Sequence, residues 1–70
     1  MAYLGDNIKH FRELKRMTQA ELAEYCGVTP SVVSQYESNG KIPNFILGMK
    51  IAQLLGVSAE KLLKGEEADK

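Results

Sequence analysis

The sequence predicts a small all-α domain built from five short helices. Apolar residues recur at helical spacing along nearly the whole chain, and no stretch shows the strict alternation of a half-buried strand. Helix-capping side chains and helix-ending glycines divide this pattern into short segments. At 70 residues, 44% of them hydrophobic, the chain has the size and composition of one globular domain.

The first helix is predicted from about Gly5 to Arg16. Its inward face carries Leu4, Ile8, Phe11 and Lys15, and the stem of Lys15 is expected to lie along the edge of the core. The second helix opens at Thr18, since "TQAE" has the form of a capping box in which Thr18 and Glu21 satisfy each other's backbone amides. Gly27 suits the left-handed residue that ends a helix.

Thr29 caps the third helix, and Pro30 at its first position has no amide hydrogen to leave unbonded. The segment "ESNGKIP" follows as a turn. Two more helices are predicted, from about Asn44 to Leu55 and, after a cap at Ser58, through Leu63. Gly56 ends the fourth helix, and Gly48 inside it indicates a close approach of another helix.

The stop at Gly27 and the restart at Thr29 leave a turn of three or four residues. Two short helices joined in this way cross at roughly 90–120°, which is the geometry of a helix-turn-helix. Ala23 supplies a small residue where the helices approach. The apolar residues expected to lock this corner are Leu22, Cys26, Val28, Val33 and Tyr36.

Such a corner makes the third helix project from the body with its polar side outward. The outward residues are predicted to be Ser31, Ser34, Gln35 and Ser38, with Pro30 and Val32 at the margins. Short uncharged side chains of this kind can enter the roughly 12 Å wide major groove of DNA. The alternative is a plain helical bundle with a solvated serine-rich face, but alanine, lysine and glutamate are better helix formers for an idle surface.

Four pieces of sequence carry a resemblance to a known family: "IKHFRELKRMTQAELAEYCGV", "TPSVVSQYE", Pro43 and "IAQLLGVSAEKLL". In this order and spacing they resemble the lambda-repressor/Cro type of helix-turn-helix, the Xre family, from about Ile8 to Leu63. The resemblance implies a compact five-helix lambda-repressor-like domain whose helices 2 and 3 form the helix-turn-helix. It also implies a sequence-specific regulator of transcription, expected to be a repressor, that binds operator DNA, usually as a two-fold dimer.

Base contacts are expected on the third helix and phosphate contacts on its flanks, in part because the resemblance places them there and in part because the residues face outward. The base-contact residues are Thr29, Pro30, Ser31, Ser34 and Gln35, and the phosphate-contact residues are Arg12, Arg16, Thr18, Gln19, Asn39, Gly40 and Lys41. Gln35 is the strongest candidate for direct reading, because a carboxamide can pair bidentately with adenine. Gln19 stands at a helix N-terminus, where amides and the helix dipole favour an anion.

Three positions depart from the family pattern, and two others match a family ion pair. Arg16 and Asn39 stand where the family commonly has glycine, and Asn39 is expected to take the left-handed conformation that such a turn requires. Pro30 replaces a long polar residue, which weakens the expectation of a base contact there. Arg12 and Glu37 match an ion pair that links the first helix to the end of the third.

The net charge of zero is unusual for a protein that binds nucleic acid. Three acidic residues, Glu66, Glu67 and Asp69, lie in residues 66–70, which we predict to be a flexible acidic tail following a domain of residues 1–65. Without these three acids the body is mildly basic. The charge balance therefore does not exclude DNA.

A homodimer on a palindromic operator is expected to form through the C-terminal region. An apolar patch of Leu14, Val57, Leu62 and Leu63 is the predicted contact, and it would place two recognition helices about 34 Å apart. The alternative is that these residues belong to the internal core. The second hypothesis is a protein-interaction module, such as an antitoxin-like or adaptor partner, which the exposed Glu24 and Tyr25 favour.

An enzyme is not expected, because the lone His10 has no carboxylate pair or nucleophile at a recognisable spacing. One histidine and one cysteine also make a tetrahedral metal site implausible, and no cofactor or small-molecule ligand is indicated. Cys26 lies on an apolar stripe and is expected to be a packed thiol. A chain with no signal peptide, no membrane-length apolar run and no disulfide is expected in the cytoplasm.

Overall fold

Five helices make up residues 4–65, the part of the chain that the computed structural model describes. They are α1 (Leu4–Leu14), α2 (Gln19–Cys26), α3 (Pro30–Ser38), α4 (Phe45–Leu55) and α5 (Ala59–Lys64). The predicted all-α class and the helix-turn-helix of α2 and α3 are confirmed. The first helix ends two residues earlier than predicted, because Lys15 and Arg16 form a turn. The predicted tail of residues 66–70 lies outside the described residues.

Local capping interactions set the ends of α2 and the start of α3. The Thr18 hydroxyl oxygen accepts a hydrogen bond from the Glu21 amide at 3.0 Å, and the Glu21 carboxylate accepts one from the Thr18 amide at 2.8 Å. Gly27 ends α2 with a φ of 74°. Thr29 caps α3 by accepting from the Val32 amide at 3.3 Å. These contacts are the ones that the sequence predicts, since each depends only on neighbouring residues.

The core lies at the centre of the domain, and all five helices contribute to it. Its buried apolar members are Ile8, Phe11, Leu22, Ala23, Cys26, Val33, Tyr36, Ile51, Ala52, Leu55 and Leu62. Burial raises the pKa of the Cys26 thiol, so the thiol stays protonated and packs as a small apolar group. Of the two alternatives for Leu62, a surface patch or the internal core, the structure supports the core, because the side chain is only 3% exposed.

Two residues of α1 hold the helices together in ways that sequence patterns do not predict. A Cβ on Gly5 would overlap the carbonyl oxygen of Tyr36, so α1 and α3 approach each other more closely than any side chain permits. The buried Asn7 donates its amide hydrogens to the carbonyl oxygens of Leu62 at 2.7 Å and Leu63 at 3.2 Å. These bonds satisfy carbonyls at the end of α5, which would otherwise lack partners.

Gly48 does not serve the close helix approach that the sequence predicted. Nothing outside its own helix backbone and neighbours lies within 4 Å of the position that its Cβ would take. The glycine therefore costs helix stability without allowing a closer contact inside the domain.

Replacing Gly5 by alanine is expected to destabilise the domain by about 1–3 kcal/mol, because α1 must move away from the backbone of α3. Urea denaturation followed by circular dichroism measures this change. Gly48→Ala is the matched control and is expected to stabilise the domain by about 1 kcal/mol. Equal stability of the two variants would show that the approach of α1 to α3 is not as tight as described.

Candidate nucleic-acid interface

The outward face of α3 carries polar side chains, and those of Ser31, Ser34 and Gln35 have no hydrogen-bond partner among residues 4–65, while Thr29 uses only its hydroxyl oxygen, in the cap. Thr29, Pro30 and Ser31 are exposed, and Ser34 and Gln35 are half-buried at the edge of the helix. The opposite face buries Val33, Tyr36 and Glu37. Val32, at the margin, is half-buried and packs against the core. The five predicted base-contact residues thus share one surface, free to bind a ligand.

Arg12 and Glu37 form a buried bidentate ion pair behind this surface. Arg12 Nε lies 2.8 Å from Glu37 Oε2, and Arg12 Nη2 lies 3.1 Å from Glu37 Oε1. The two side chains are 10% and 1% exposed. The hydrogen bond to Glu37 raises the pKa of Arg12 above its already high ordinary value, so the guanidinium remains charged.

The same guanidinium also binds the turn between α1 and α2. Arg12 Nη1 donates to the Met17 carbonyl oxygen at 2.6 Å. One side chain therefore ties together α1, the turn before α2 and the last turn of α3. Three of its five N–H groups are used in these contacts. Two parallel hydrogen bonds form only when the planar guanidinium and the planar carboxylate are close together and aligned. The pair therefore fixes the orientation of α3 against the body.

Gln19, at the first position of α2, is joined to this ion pair. Its Nε2 donates to Glu37 Oε1 at 3.0 Å. Sequence reasoning missed this contact, because residues 18 positions apart on different helices give no periodic signal. A carboxamide nitrogen carries two hydrogens, so the second remains available to an anion in front of the α2 N-terminus.

The turn after α3 differs from the prediction in one respect. Asn39 was expected to take the left-handed conformation, but its φ is −112° and Gly40 takes that conformation instead, with a φ of 73°. A glycine accepts this geometry without the steric cost that asparagine would meet. The amides of Asn39 and Lys41 both donate to the Gln35 carbonyl oxygen, at 3.0 and 3.3 Å. The amide of Gly40 and the side chains of Asn39 and Lys41 are then the groups available to a phosphate.

Arg16 is the one non-glycine residue with positive φ among those described. Its φ is 55°, and its side chain is exposed in the turn before α2. A left-handed conformation costs an L-residue about 1–2 kcal/mol. Backbone strain of this kind is often found at functional positions.

The nearby Thr18 uses its hydroxyl oxygen in the cap, which leaves the hydroxyl hydrogen free to donate.

Within residues 4–65, no group of three or more His, Cys, Asp or Glu residues is placed to hold a metal ion. His10 is exposed, and its ring meets the Phe11 ring edge-on at 5.0 Å. None of the five helices described above is long and apolar enough to cross a membrane.

A projecting polar helix, braced from behind and flanked by a helix N-terminus and basic side chains, defines a DNA-binding helix-turn-helix domain. The family model described as "Helix-turn-helix" matches residues 8–62. The chain belongs to the helix-turn-helix family of the Xre/lambda-repressor type. This is a family of regulatory domains, not of enzymes.

Curated relatives carry names of regulators. The uncharacterized HTH-type transcriptional regulator YqaE of Bacillus subtilis is 34% identical over 66 residues, which is 94% of this chain and 57% of the relative. Multiprotein-bridging factor 1 of Candida albicans is 39% identical over 54 residues, covering 77% of this chain and 36% of the relative. The chain thus spans little more than half of the length of YqaE and about a third of the bridging factor.

Solved structures match both the fold and most of the chain. The P22 c2 repressor in complex with a synthetic operator has a TM-score of 0.86 and 29% identity, covering 94% of this chain and 100% of that one. The biofilm regulator SinR in complex with DNA has a TM-score of 0.76 and 35% identity, covering 84% and 95%. These similarities confirm the predicted lambda-repressor-like architecture.

Glu37→Gln is expected to lower the free energy of unfolding by about 3–5 kcal/mol, because it leaves the buried Arg12 charge without its counter-charge. Chemical denaturation measures the loss. Glu60→Gln removes the carboxylate of the exposed Lys64–Glu60 pair, whose atoms are 2.9 Å apart, and is expected to change stability little. A similarly small effect at Glu37 would mean that the ion pair does not hold the helices.

Proposed function

We propose that this protein is a sequence-specific regulator of transcription that inserts α3 into the major groove of double-stranded DNA. The observation that carries the proposal is the outward face of α3, where polar, uncharged side chains stand unpartnered while the other face is buried in the core. A solvated face without a binding role would be expected to carry better helix formers, such as alanine, lysine and glutamate. A face that contacts the base edges of a groove instead needs side chains that donate and accept hydrogen bonds.

The residues of α3 differ in how much base specificity they supply. Gln35 is the residue that specifies sequence, because its carboxamide can donate and accept at once to one adenine. The hydroxyls of Ser31 and Ser34 can donate to an acceptor or accept from a donor, and therefore discriminate less between bases. The Thr29 hydroxyl keeps its hydrogen for DNA while its oxygen caps the helix. Pro30, at the start of α3, has no hydrogen to donate, so it contacts DNA through van der Waals packing alone.

Phosphate contacts come from both sides of α3 and position it in the groove. On one side are Arg16 and the N-terminus of α2, where Thr18 and Gln19 stand. On the other are Asn39, Gly40 and Lys41. Arg12, which lies behind α3, donates to a phosphate through the N–H groups that Glu37 and Met17 leave unused. Although the chain is neutral overall, Arg16 and Lys41 thus place positive charge near the backbone of the duplex.

The operator we propose is palindromic, and the protein binds it as a homodimer with one α3 in each half-site. Two-fold symmetry in the protein then matches two-fold symmetry in the DNA, with half-sites about 34 Å apart. A bound pair covers the groove over both half-sites, so repression by blocking access to the DNA is the expected outcome. The reduced, packed Cys26 is consistent with action in the cytoplasm.

A protein-interaction module is the second candidate function. The described residues include a cluster of exposed apolar side chains on and around α4, which a partner protein can cover. Recovery of one stoichiometric protein partner, with no DNA bound to the purified complex, would favour this second function.

Selection from a random pool of duplexes tests the DNA-binding function directly. We expect the selected sequences to share a palindromic motif and to bind far more tightly than scrambled duplexes in competition at fixed salt. When the selection is repeated with Gln35→Ala, base preference should be lost at one position of each half-site, at a cost of about 1–3 kcal/mol. Equal affinity for selected and scrambled duplexes would exclude a sequence-specific reader.

Arg16→Gly should raise fold stability and weaken DNA binding at the same time. Glycine removes the cost of the left-handed backbone, about 1 kcal/mol, and also removes a phosphate contact. Binding titrations over a range of salt should show a log–log slope shallower by about 1, with unchanged sequence preference. Lys9→Ala, which removes an exposed cation from α1, is the control. An unaltered slope in Arg16→Gly would remove Arg16 from the interface.

A further inference from the structure

Val32 is an apolar side chain at the edge of a polar surface. It follows Pro30 and Ser31 in the first turn of α3, where it is half-buried and packs against the core. The apolar side chains that the domain exposes most, such as Phe45, lie instead on and around α4. The DNA contacts proposed above give Val32 no role, although its neighbours on both sides have one.

The part of Val32 that faces outward has a fixed position. A β-branched side chain in a helix adopts one strongly preferred χ1 rotamer, and contact with the core restricts it further. The Val32 amide donates to the Thr29 carbonyl oxygen at 3.0 Å and to the Thr29 hydroxyl oxygen at 3.3 Å, so the helix cap holds the backbone at this position. Val32 therefore presents a preorganised apolar surface, which loses little side-chain entropy on binding.

The neighbours of Val32 on the helix surface are residues that we assign to the bases. Residues three positions apart lie on adjacent turns of one face, so Thr29 and Gln35 flank Val32. Three residues advance about 4.5 Å along a helix, which is comparable with the rise of about 3.4 Å between neighbouring base pairs. When Gln35 binds an adenine, Val32 is therefore placed to meet the base pair next to it.

The major groove offers one kind of apolar group to such a side chain. Most of what distinguishes base pairs there is a pattern of hydrogen-bond donors and acceptors, which valine cannot engage. The C5-methyl group of thymine is the exception, and apolar side chains contact it. Cytosine that is methylated at C5 carries the same group at the same place on the ring.

We infer that Val32 is a specificity-determining residue that contacts the C5-methyl group of a pyrimidine next to the adenine bound by Gln35. The inference rests on the proposed DNA-binding function and adds one base to the motif of each half-site. Thymine supplies the methyl group in unmodified DNA, and 5-methylcytosine supplies it in methylated DNA. Because the serines of this face discriminate little, the base preference of α3 comes mainly from Gln35 and Val32 together.

Removing single methyl groups from the DNA tests the inference. In a duplex selected from a random pool, each thymine is replaced in turn by deoxyuridine, which forms the same base pair and lacks only the C5-methyl group. One replacement in each half-site should weaken wild-type binding about fourfold, the effect of leaving one apolar carbon in water. At that position a 5-methylcytosine–guanine pair should bind about fourfold more tightly than a cytosine–guanine pair.

Val32→Ala removes both γ-methyl groups and should abolish this preference. The ratio of affinities for the thymine and deoxyuridine duplexes should fall from about four in the wild type to about one in the variant. Each ratio compares two duplexes with one protein, so a change in fold stability does not alter it. Val57→Ala is the matched control, because Val57 is also half-buried and packs against the core but lies between α4 and α5. It should keep the wild-type ratio.

Unchanged wild-type affinity at every deoxyuridine, or a wild-type ratio in Val32→Ala, overturns the inference and leaves the DNA-binding function standing. Equal binding of the two cytosine duplexes overturns it as well. If Val32→Ala does not fold, a nuclear Overhauser effect between the Val32 methyl groups and the thymine methyl group in the wild-type complex decides, and its absence counts against the inference. Failure of the wild type to select any motif would instead contradict the proposed function.

Discussion

The contact between Arg12 and Glu37 is the interaction on which the arrangement of this domain depends. Hydrophobic burial holds α3 to the body, but burial alone has no direction and would tolerate rotation of the helix. Two parallel hydrogen bonds, and a third to the Met17 carbonyl, fix that rotation. The outward face of α3 is therefore set by charged groups buried behind it. Gln19 donates a hydrogen bond to the same carboxylate, so the ion pair also holds the N-terminus of α2 in position relative to α3.

Two residues, Arg16 and Gly48, lower the stability of the fold locally. Arg16 occupies a backbone conformation that glycine would adopt without strain, and Gly48 weakens a helix that alanine would strengthen. Neither choice benefits the isolated fold. In the proposed DNA complex, Arg16 supplies a cation to a phosphate, and Gly48 lines an apolar groove beside α4. Departures from local preference at sites of this kind are expected when binding and stability compete.

Much of the fold is predictable from the sequence because helix ends are determined locally. The capping box at Thr18, the glycine at position 27 and the proline after Thr29 each act within a few residues. The helical period then identifies the buried apolar residues of α1, α2 and α3, whereas those of α4 and α5 were not assigned from the sequence. What escapes prediction depends on how the helices approach one another. The fit of Gly5 against α3, the bonds of Asn7 to α5 and the link from Gln19 to Glu37 are all of this kind. The surface around Phe45 left a signal, since "IPNFILGMKIAQLL" holds more apolar residues than one helix face can bury.

The central claim is that α3 meets DNA with its outward face while the ion pair behind it stays intact. Nuclear magnetic resonance of isotopically labelled protein, titrated with a selected duplex, tests both parts at once. The claim predicts large shifts at the backbone amides of Thr29 and of residues 31–35, at the side-chain amides of Gln19 and Gln35 and at Gly40, with the Arg12 Nε resonance almost unmoved. Shifts confined to the opposite side of the domain, or an Arg12 signal that changes as much as the surface signals do, would contradict it.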